Sequence, residues 1–350
     1  MKKKIWPALR NYIFLAIGIA LIYLVFKDVD FVWMWNEIKG ARFSWIFLSM
    51  FCGVIAMASR AWRWRIMLEP LGFKPSFIHC FYGVSIGYFA NIALPRMGEV
   101  VRCTILNQTD NVPINQSFGT VILERVIDVL MLGSLIGLVL LTRMDLFGDF
   151  FMRELFQKKA SQGSIFENTQ FQLIVGILAL FLIIGLFLFF RFKRQLLKLS
   201  FFQKVLNFLK GIGDGLFTIF KMKNKGWFVF HTLFIWINYF IMTWICVYSY
   251  DPTSMLEAFD GLFLMVVGGL GMTAPVQGGF GAFHYLVEKA LMIYQISPSI
   301  NPLTGSEIRP GLVFATIVHS AQFVMTVIMG TLSLIGFTLL RRKIKISHAS

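Results

Sequence analysis

Six charged residues stand where charge is expensive. Arg96, Glu99 and Arg102 lie three apart at a break in an apolar stretch, and Glu124, Arg125 and Asp128 lie inside the run TVILERVIDVLML. On a helix the first three form a ladder of alternating sign, and Glu124 and Asp128 share one face. Each charge costs about 2.5–3.5 kcal/mol at a bilayer centre, so partners are expected. The six sum to zero, and the sequence predicts that they pair across the two segments. Such a cluster can lock helices together. It can also receive an anionic head group, because the arginine fork meets phosphate with two parallel hydrogen bonds. Substitution of Arg96 or Glu124 is expected to abolish activity and leave membrane insertion intact.

A second polar group follows another break. It holds Gln277, Gly278, Gly279, His284, Glu288 and Lys289, with His319 and Gln322 further on. The i,i+4 spacing of His284 and Glu288 permits two metal ligands, with His319 as a distant third. A hydrogen-bonded polar pair is the preferred reading, and no metal is expected. The glycine-rich tip could form an anion nest of backbone N–H groups. The substrate-binding candidates are therefore Asn91, Arg96, Glu99, Arg102, Glu124, Arg125, Asp128, Gln277, Gly278, Gly279, His284 and His319. No nucleotide motif and no nucleophile beside a base is present, so no catalytic residue is assigned and no cofactor is expected. Cys52, Cys80, Cys103 and Cys246 are scattered, without a CxxC pair, and imply neither a disulfide framework nor a zinc site.

The elements that must position these groups are membrane helices. The 350 residues are 57% hydrophobic and only 15% charged, and the mean hydropathy is +0.70. A soluble protein of this length exposes more charge. The net charge of +15 is concentrated in short segments between apolar runs, which reads as topology and anionic-lipid contact rather than nucleic-acid binding. Six runs are long enough to span: about 10–26, 43–60, 119–141, 171–191, 227–249 and 312–340. Two further apolar regions are broken, 76–107 by Pro95 and Gly98, and 261–295 by Pro275 and a set of glycines.

Charge decides how the broken regions run. Segments 2–10, 59–75, 191–225 and 341–350 carry +4, +3, +8 and +4, whereas 27–43 and 142–170 are neutral and 251–260 carries −3. The basic segments all face the cytoplasm only if both broken regions enter and return on one side. The expected fold is an all-α polytopic membrane helical bundle, a single transmembrane domain over 1–350. It has six full spans and two oppositely oriented re-entrant hairpins, with both termini cytoplasmic in the plasma (inner) membrane. Oppositely oriented repeats with broken helices are a transporter layout whose site lies near the midplane. Residues 193–225 alternate basic and apolar side chains and read as a cytoplasmic amphipathic segment on the lipid surface.

The stretch NIALPRMGEVVR from Asn91 to Arg102, then ERVIDV from Glu124, then PVQGGFG from Pro275, resembles a known family. It is the flippase-like transmembrane region of lysylphosphatidylglycerol synthases, which also occurs as stand-alone uncharacterised proteins. The resemblance covers about 10–340. It implies an eight-segment bundle that moves a lipid with a modified head group between leaflets. By resemblance the carried-over positions are Asn91, Pro95, Arg96, Gly98, Glu99, Arg102, Glu124, Arg125, Asp128, Pro275, Gly278, Gly279 and Gly281. Many relatives carry a glutamate where this chain has His284, which puts substrate preference or proton coupling in question. The lysyl-transfer reaction of the two-part synthases belongs to a soluble domain. The chain ends about ten residues after the last span, so that domain is expected to be missing. Expected partners are membrane lipids and, where the lipid is modified, a separate lipid-modifying enzyme. The leading function is lipid translocation. A membrane-embedded transferase on a lipid or polyprenyl-phosphate substrate, and a gradient-driven small-molecule transporter, are the alternatives.

Overall fold

The computed structural model describes residues 20–94, 96–142, 210, 217–274 and 276–347, with side chains through 342. The expectations for 171–191 and 142–170, most of 10–26 and of 193–225, and Pro95 and Pro275 themselves, fall outside those residues.

The described residues are almost wholly helical. Helical residues 20–26 (α1) are followed by α2 (Phe31–Gly40), α3 (Phe43–Leu68), α4 (Phe77–Ala93), α5 (Met97–Asp110) and α6 (Ile114–Thr142). The second group is α7 (Lys225–Val247), α8 (Ala258–Met272), α9 (Ala282–Leu291) and α10 (Pro310–Ser347). One departure from the all-α expectation is a two-stranded antiparallel hairpin between α9 and α10, β1 (Ser299–Ile300) with β2 (Glu307–Ile308). Among the described residues four stretches are long and apolar enough to cross a membrane: Phe43–Leu71, Ile114–Thr142, Lys225–Val247 and Pro310–Arg342. They coincide with four of the expected spans.

The short helices have local causes. Ser76 caps α4 by accepting from the His79 N–H at 3.2 Å. The helix stops at Leu94, whose backbone is extended at φ −140°, as the residue before a proline must be. Arg96 then takes a left-handed conformation, φ 63°, and the Asn91 Oδ1 accepts from the Gly98 N–H at 2.7 Å to start α5. A capping box between Glu257 and Asp260 starts α8. That helix ends ahead of Pro275, and Gly278, Gly279 and Gly281 all take positive φ, which only glycine adopts freely. At 17 and 15 residues, α4 and α8 reach only about 25 Å and 22 Å, short of the roughly 30 Å of a hydrocarbon core.

The packing has an internal correspondence. Helix α4 packs on α3, α5 and α10; α8 packs on α7, α9 and α6. Likewise α5 packs on α6 and α9 on α10, and the two leading helices α3 and α7 pack on each other. Exchanging the halves thus carries most of these contacts onto one another, as two copies of one four-helix unit would. The core is split in the same way. One apolar cluster centres on Trp64, Leu68, Val84 and Leu106, and a larger one on Phe263, Val266, Leu291 and Phe314. The second break, residues 277–279, also packs on α4, so one tip rests on the helix that leads to the other.

The closest approach is at the first break. A Cβ on Gly98 would lie 2.0 Å from the Gly87 carbonyl oxygen. Gly98→Ala must therefore push α4 from α5, and a loss of about 1–3 kcal/mol is expected. Gly133→Ala, with nothing within 4 Å of the new Cβ, should leave the melting temperature in detergent unchanged. Equal melting temperatures for the two variants would show that the helices do not meet as described.

Candidate functional site

Three helices bring the clustered charges together. Helix α6 supplies Glu124, Arg125 and Asp128, and α5 supplies Glu99 and Arg102. Helix α3 supplies Arg60 and Arg63, which the sequence reading counted among the basic residues of a cytoplasmic segment. The helix continues past both arginines to Leu68, and the two are buried, Arg63 completely.

Glu124 is the meeting point. Its Oε1 accepts from Arg60 Nη1 at 2.5 Å, and its Oε2 accepts from Arg102 Nη2 at 2.9 Å. Arg63 Nη2 stands 3.5 Å from Oε1. Asp128, one turn on, accepts from Arg60 and from Arg63, each at 3.0 Å. Arg63 also donates to Thr232 on α7 at 3.3 Å. The Arg102 guanidinium lies over the Trp64 ring at 4.0 Å, and the Trp64 indole N–H donates to Thr120 at 2.9 Å. The assembly is sealed: no side chain among Arg60, Arg63, Arg102 and Glu124 exceeds 6% exposure.

A second tier is open. Arg125 Nη2 donates to Glu99 Oε1 at 2.8 Å, with Arg125 46% exposed. Arg96 is exposed at the tip and makes no ion pair among the described residues. The expected cross-segment pairing therefore forms for Arg102 with Glu124 and for Glu99 with Arg125. It does not extend to Arg96, and Asp128 takes its partners from α3 instead. The expected charge balance also changes. With Arg60 and Arg63 included, five guanidiniums face three carboxylates. Asn91 is used in the turn, as the cap on Gly98.

The second break gathers different groups. Gln277 and Gly278 are half-buried and Gly279 is buried. His284 and His319 are buried with their rings stacked, centroids 4.9 Å apart. Glu288 does not pair with His284. Both its oxygens are taken by Arg309, through Nε at 2.6 Å and through Nη2. No group of three or more histidine, cysteine or acidic side chains able to hold a metal occurs among the described residues. Arg309 was missed in the sequence. Its only signal there is a lone basic residue just ahead of an apolar run.

Sequence reading expected Glu124 to be replaceable without loss of insertion. Its position adds a cost in folded stability. Glu124→Gln leaves Arg102 without a carboxylate and Arg60 and Arg63 with Asp128 alone, and about 3–5 kcal/mol should be lost. Glu99→Gln, on the half-exposed pair, should cost under about 1 kcal/mol. Thermal unfolding of both variants in the same detergent checks the order, and a larger loss at Glu99 would reverse the assignment of sealed and open tiers.

Comparison with known proteins places the chain in a family. A family model described as the lysylphosphatidylglycerol synthase TM region matches residues 12–330. A UPF0104 membrane protein of Methanocaldococcus jannaschii is 29% identical over 87 residues, covering 24% of this chain and 26% of the relative. The match thus spans about a quarter of that relative's length. No solved structure matches. The long apolar helices, the paired breaks and the match over residues 12–330 lead to one assignment: the chain is a membrane protein of the lysylphosphatidylglycerol synthase TM region family.

Proposed function

We propose that this protein is a flippase-like lipid translocase that passes a charged or modified head group between leaflets through a polar intramembrane site. The supporting observation is the excess of guanidinium over carboxylate at the first break, in two tiers. Three arginines on Glu124 and Asp128 are sealed by packing and set a fixed positive field. Arg125 and Arg96, which are accessible, meet the lipid. A lipid phosphate displaces Glu99, held by a single hydrogen bond, by offering Arg125 bidentate geometry and more charge. The acyl chains stay in the bilayer, so only the head group needs a polar path.

Topology supports this route. Helices α4, α5, α8 and α9 are too short to cross, so each pair enters and returns, giving six full spans with two oppositely oriented re-entrant hairpins and cytoplasmic termini. Backbone broken at membrane depth is tolerated where it is buried or lines a polar cavity, and such breaks are where transporters bind their cargo. A transferase on a lipid-linked donor needs a general base. Glu124 and Asp128 are poor candidates, because their oxygens are spent on guanidiniums.

The test is leaflet movement of head-group-tagged phospholipids in proteoliposomes. Wild-type protein should move anionic lipids. Arg125→Ala and Arg96→Ala should each slow that movement about tenfold or more, the value of one charge-assisted hydrogen bond. Unchanged rates in both variants, or turnover of a lipid-linked donor without movement, would reject the translocase.

A further inference from the structure

A row of aromatic rings with one cation lies where α3 ends and α7 begins, away from the head-group path. The two helices run antiparallel. Ser49 Oγ donates to the Met242 carbonyl at 3.0 Å, and Ser59 Oγ lies 2.8 Å from His231 Nδ1. Arg65, three residues short of the end of α3 at Leu68, is therefore level with the first turn of α7. Trp62 packs on Phe77 of α4 at 5.3 Å, and His231 lies between Trp62 at 6.3 Å and Trp227 at 6.0 Å. Trp227 meets Phe230 edge-on at 5.5 Å. Both tryptophans are exposed, Trp62 by 41% and Trp227 by 59%.

Arg65 is the cation of this row. Its guanidinium stands over the Trp62 ring at 5.4 Å. It makes no ion pair among the described residues, and its Nε is buried without a hydrogen-bond partner. The two Nη atoms, at the open end of the fork, are left for an outside acceptor. Trp62 and Arg65 are three apart and share a face of α3. Each follows by two positions a residue of the sealed cluster, Arg60 and Arg63. Two positions turn about 200° around a helix of 3.6 residues per turn. This face is opposite to the ionic network on Glu124, so what it binds is separate from the head-group path.

The surroundings choose the anion. Lys74, Lys221, Lys223 and Lys225 are exposed and flank the ends of α3 and α7 in the chain. The acid among them, Glu69, accepts from Asn224 at 3.3 Å. The short helix Thr218–Lys221 packs on α3, which brings its lysine to the same end. Surplus positive charge at a membrane face draws anionic lipid. Tryptophans exposed in the terminal turns of spanning helices sit at head-group level. A free anion would leave both indoles bare. A lipid covers them with its glycerol and upper acyl chains while its phosphate meets the Arg65 fork.

We propose that Arg65, Trp62 and Trp227 hold one resident anionic phospholipid at the membrane face where α3 ends and α7 begins. The site does not depend on whether the protein moves lipid. The test is native mass spectrometry of the full chain in detergent, with phosphatidylglycerol, phosphatidylcholine or inorganic phosphate added. Wild-type protein should retain phosphatidylglycerol in preference to phosphatidylcholine, and inorganic phosphate should not displace it. Arg65→Gln should retain one phosphatidylglycerol fewer, its occupancy there falling about tenfold or more, the worth of a charge-assisted bidentate contact. Arg65→Lys keeps the charge without the fork and should recover only part of that loss. Trp227→Ala should also lower retention, which a site for a free anion would not register. Arg42→Gln, at the other end of α3 and paired there with Asp251, should retain as much as the wild type. Arg65 is partly exposed and unpaired, so its variants should elute and unfold without lipid as the wild type does. Equal retention in wild type and Arg65→Gln, or of the two lipids, would overturn the site. Displacement of the lipid by inorganic phosphate, or retention unchanged by Trp227→Ala, would do the same by making it a free-anion site.

Discussion

The structure depends on a carboxylate that cannot be left alone. Glu124 sits 1% exposed among three guanidiniums, and none of the four groups is affordable at that depth without the others. Because Arg60 and Arg63 come from α3, Arg102 from α5 and Glu124 from α6, their pairing fixes three helices at one level. Arg63 to Thr232 extends the tie to α7. Trp64 fills the space beside Arg102 and bonds to Thr120, so the aromatic core and the ionic network share a boundary. A buried network of this kind is poor evidence for net stability, since apolar packing does as well. Under the proposed function, its surplus positive charge supports Arg125 and Arg96.

The two halves use one architecture for two chemistries. Each has a long helix, a short helix, a break, a second short helix and a long helix. Each break is fastened by a glutamate held in arginine forks, Glu124 in the first half and Glu288 in the second. Beyond that the halves diverge. The first break carries surplus cation and an exposed arginine pair suited to phosphate. The second carries two stacked imidazoles in a phenylalanine box. Since residues 277–279 pack on α4, a change at one break is felt at the helix that ends in the other.

Much of this was legible in the sequence. Four spans stand out as long apolar runs, and Pro95 and Pro275 mark the breaks, because a residue ahead of proline leaves the helical region. Charge balance was enough to expect pairing between the two segments, which Arg102 with Glu124 and Glu99 with Arg125 then supply. The same reasoning left Arg60 and Arg63 out of the charge cluster. A run of apolar residues was closed at its first charge, although Ile66, Met67 and Leu68 continue the buried face of α3 beyond it. Spacing along one helix suggested that His284 would meet Glu288. Contacts between helices decided otherwise, giving Glu288 to Arg309 and His284 to His319. Such pairings depend on how α9 and α10 cross, which local pattern does not encode.

The most direct test is a double-mutant cycle on Arg102 and Glu124, read as thermal stability in one detergent. If three guanidiniums converge on Glu124, Glu124→Gln is strongly destabilising by itself, and adding Arg102→Gln relieves part of the uncompensated charge. The double variant should then be more stable than the sum of the single losses predicts, by at least about 1 kcal/mol. Losses that simply add would mean that the two side chains do not meet, and the ionic hub would be contradicted.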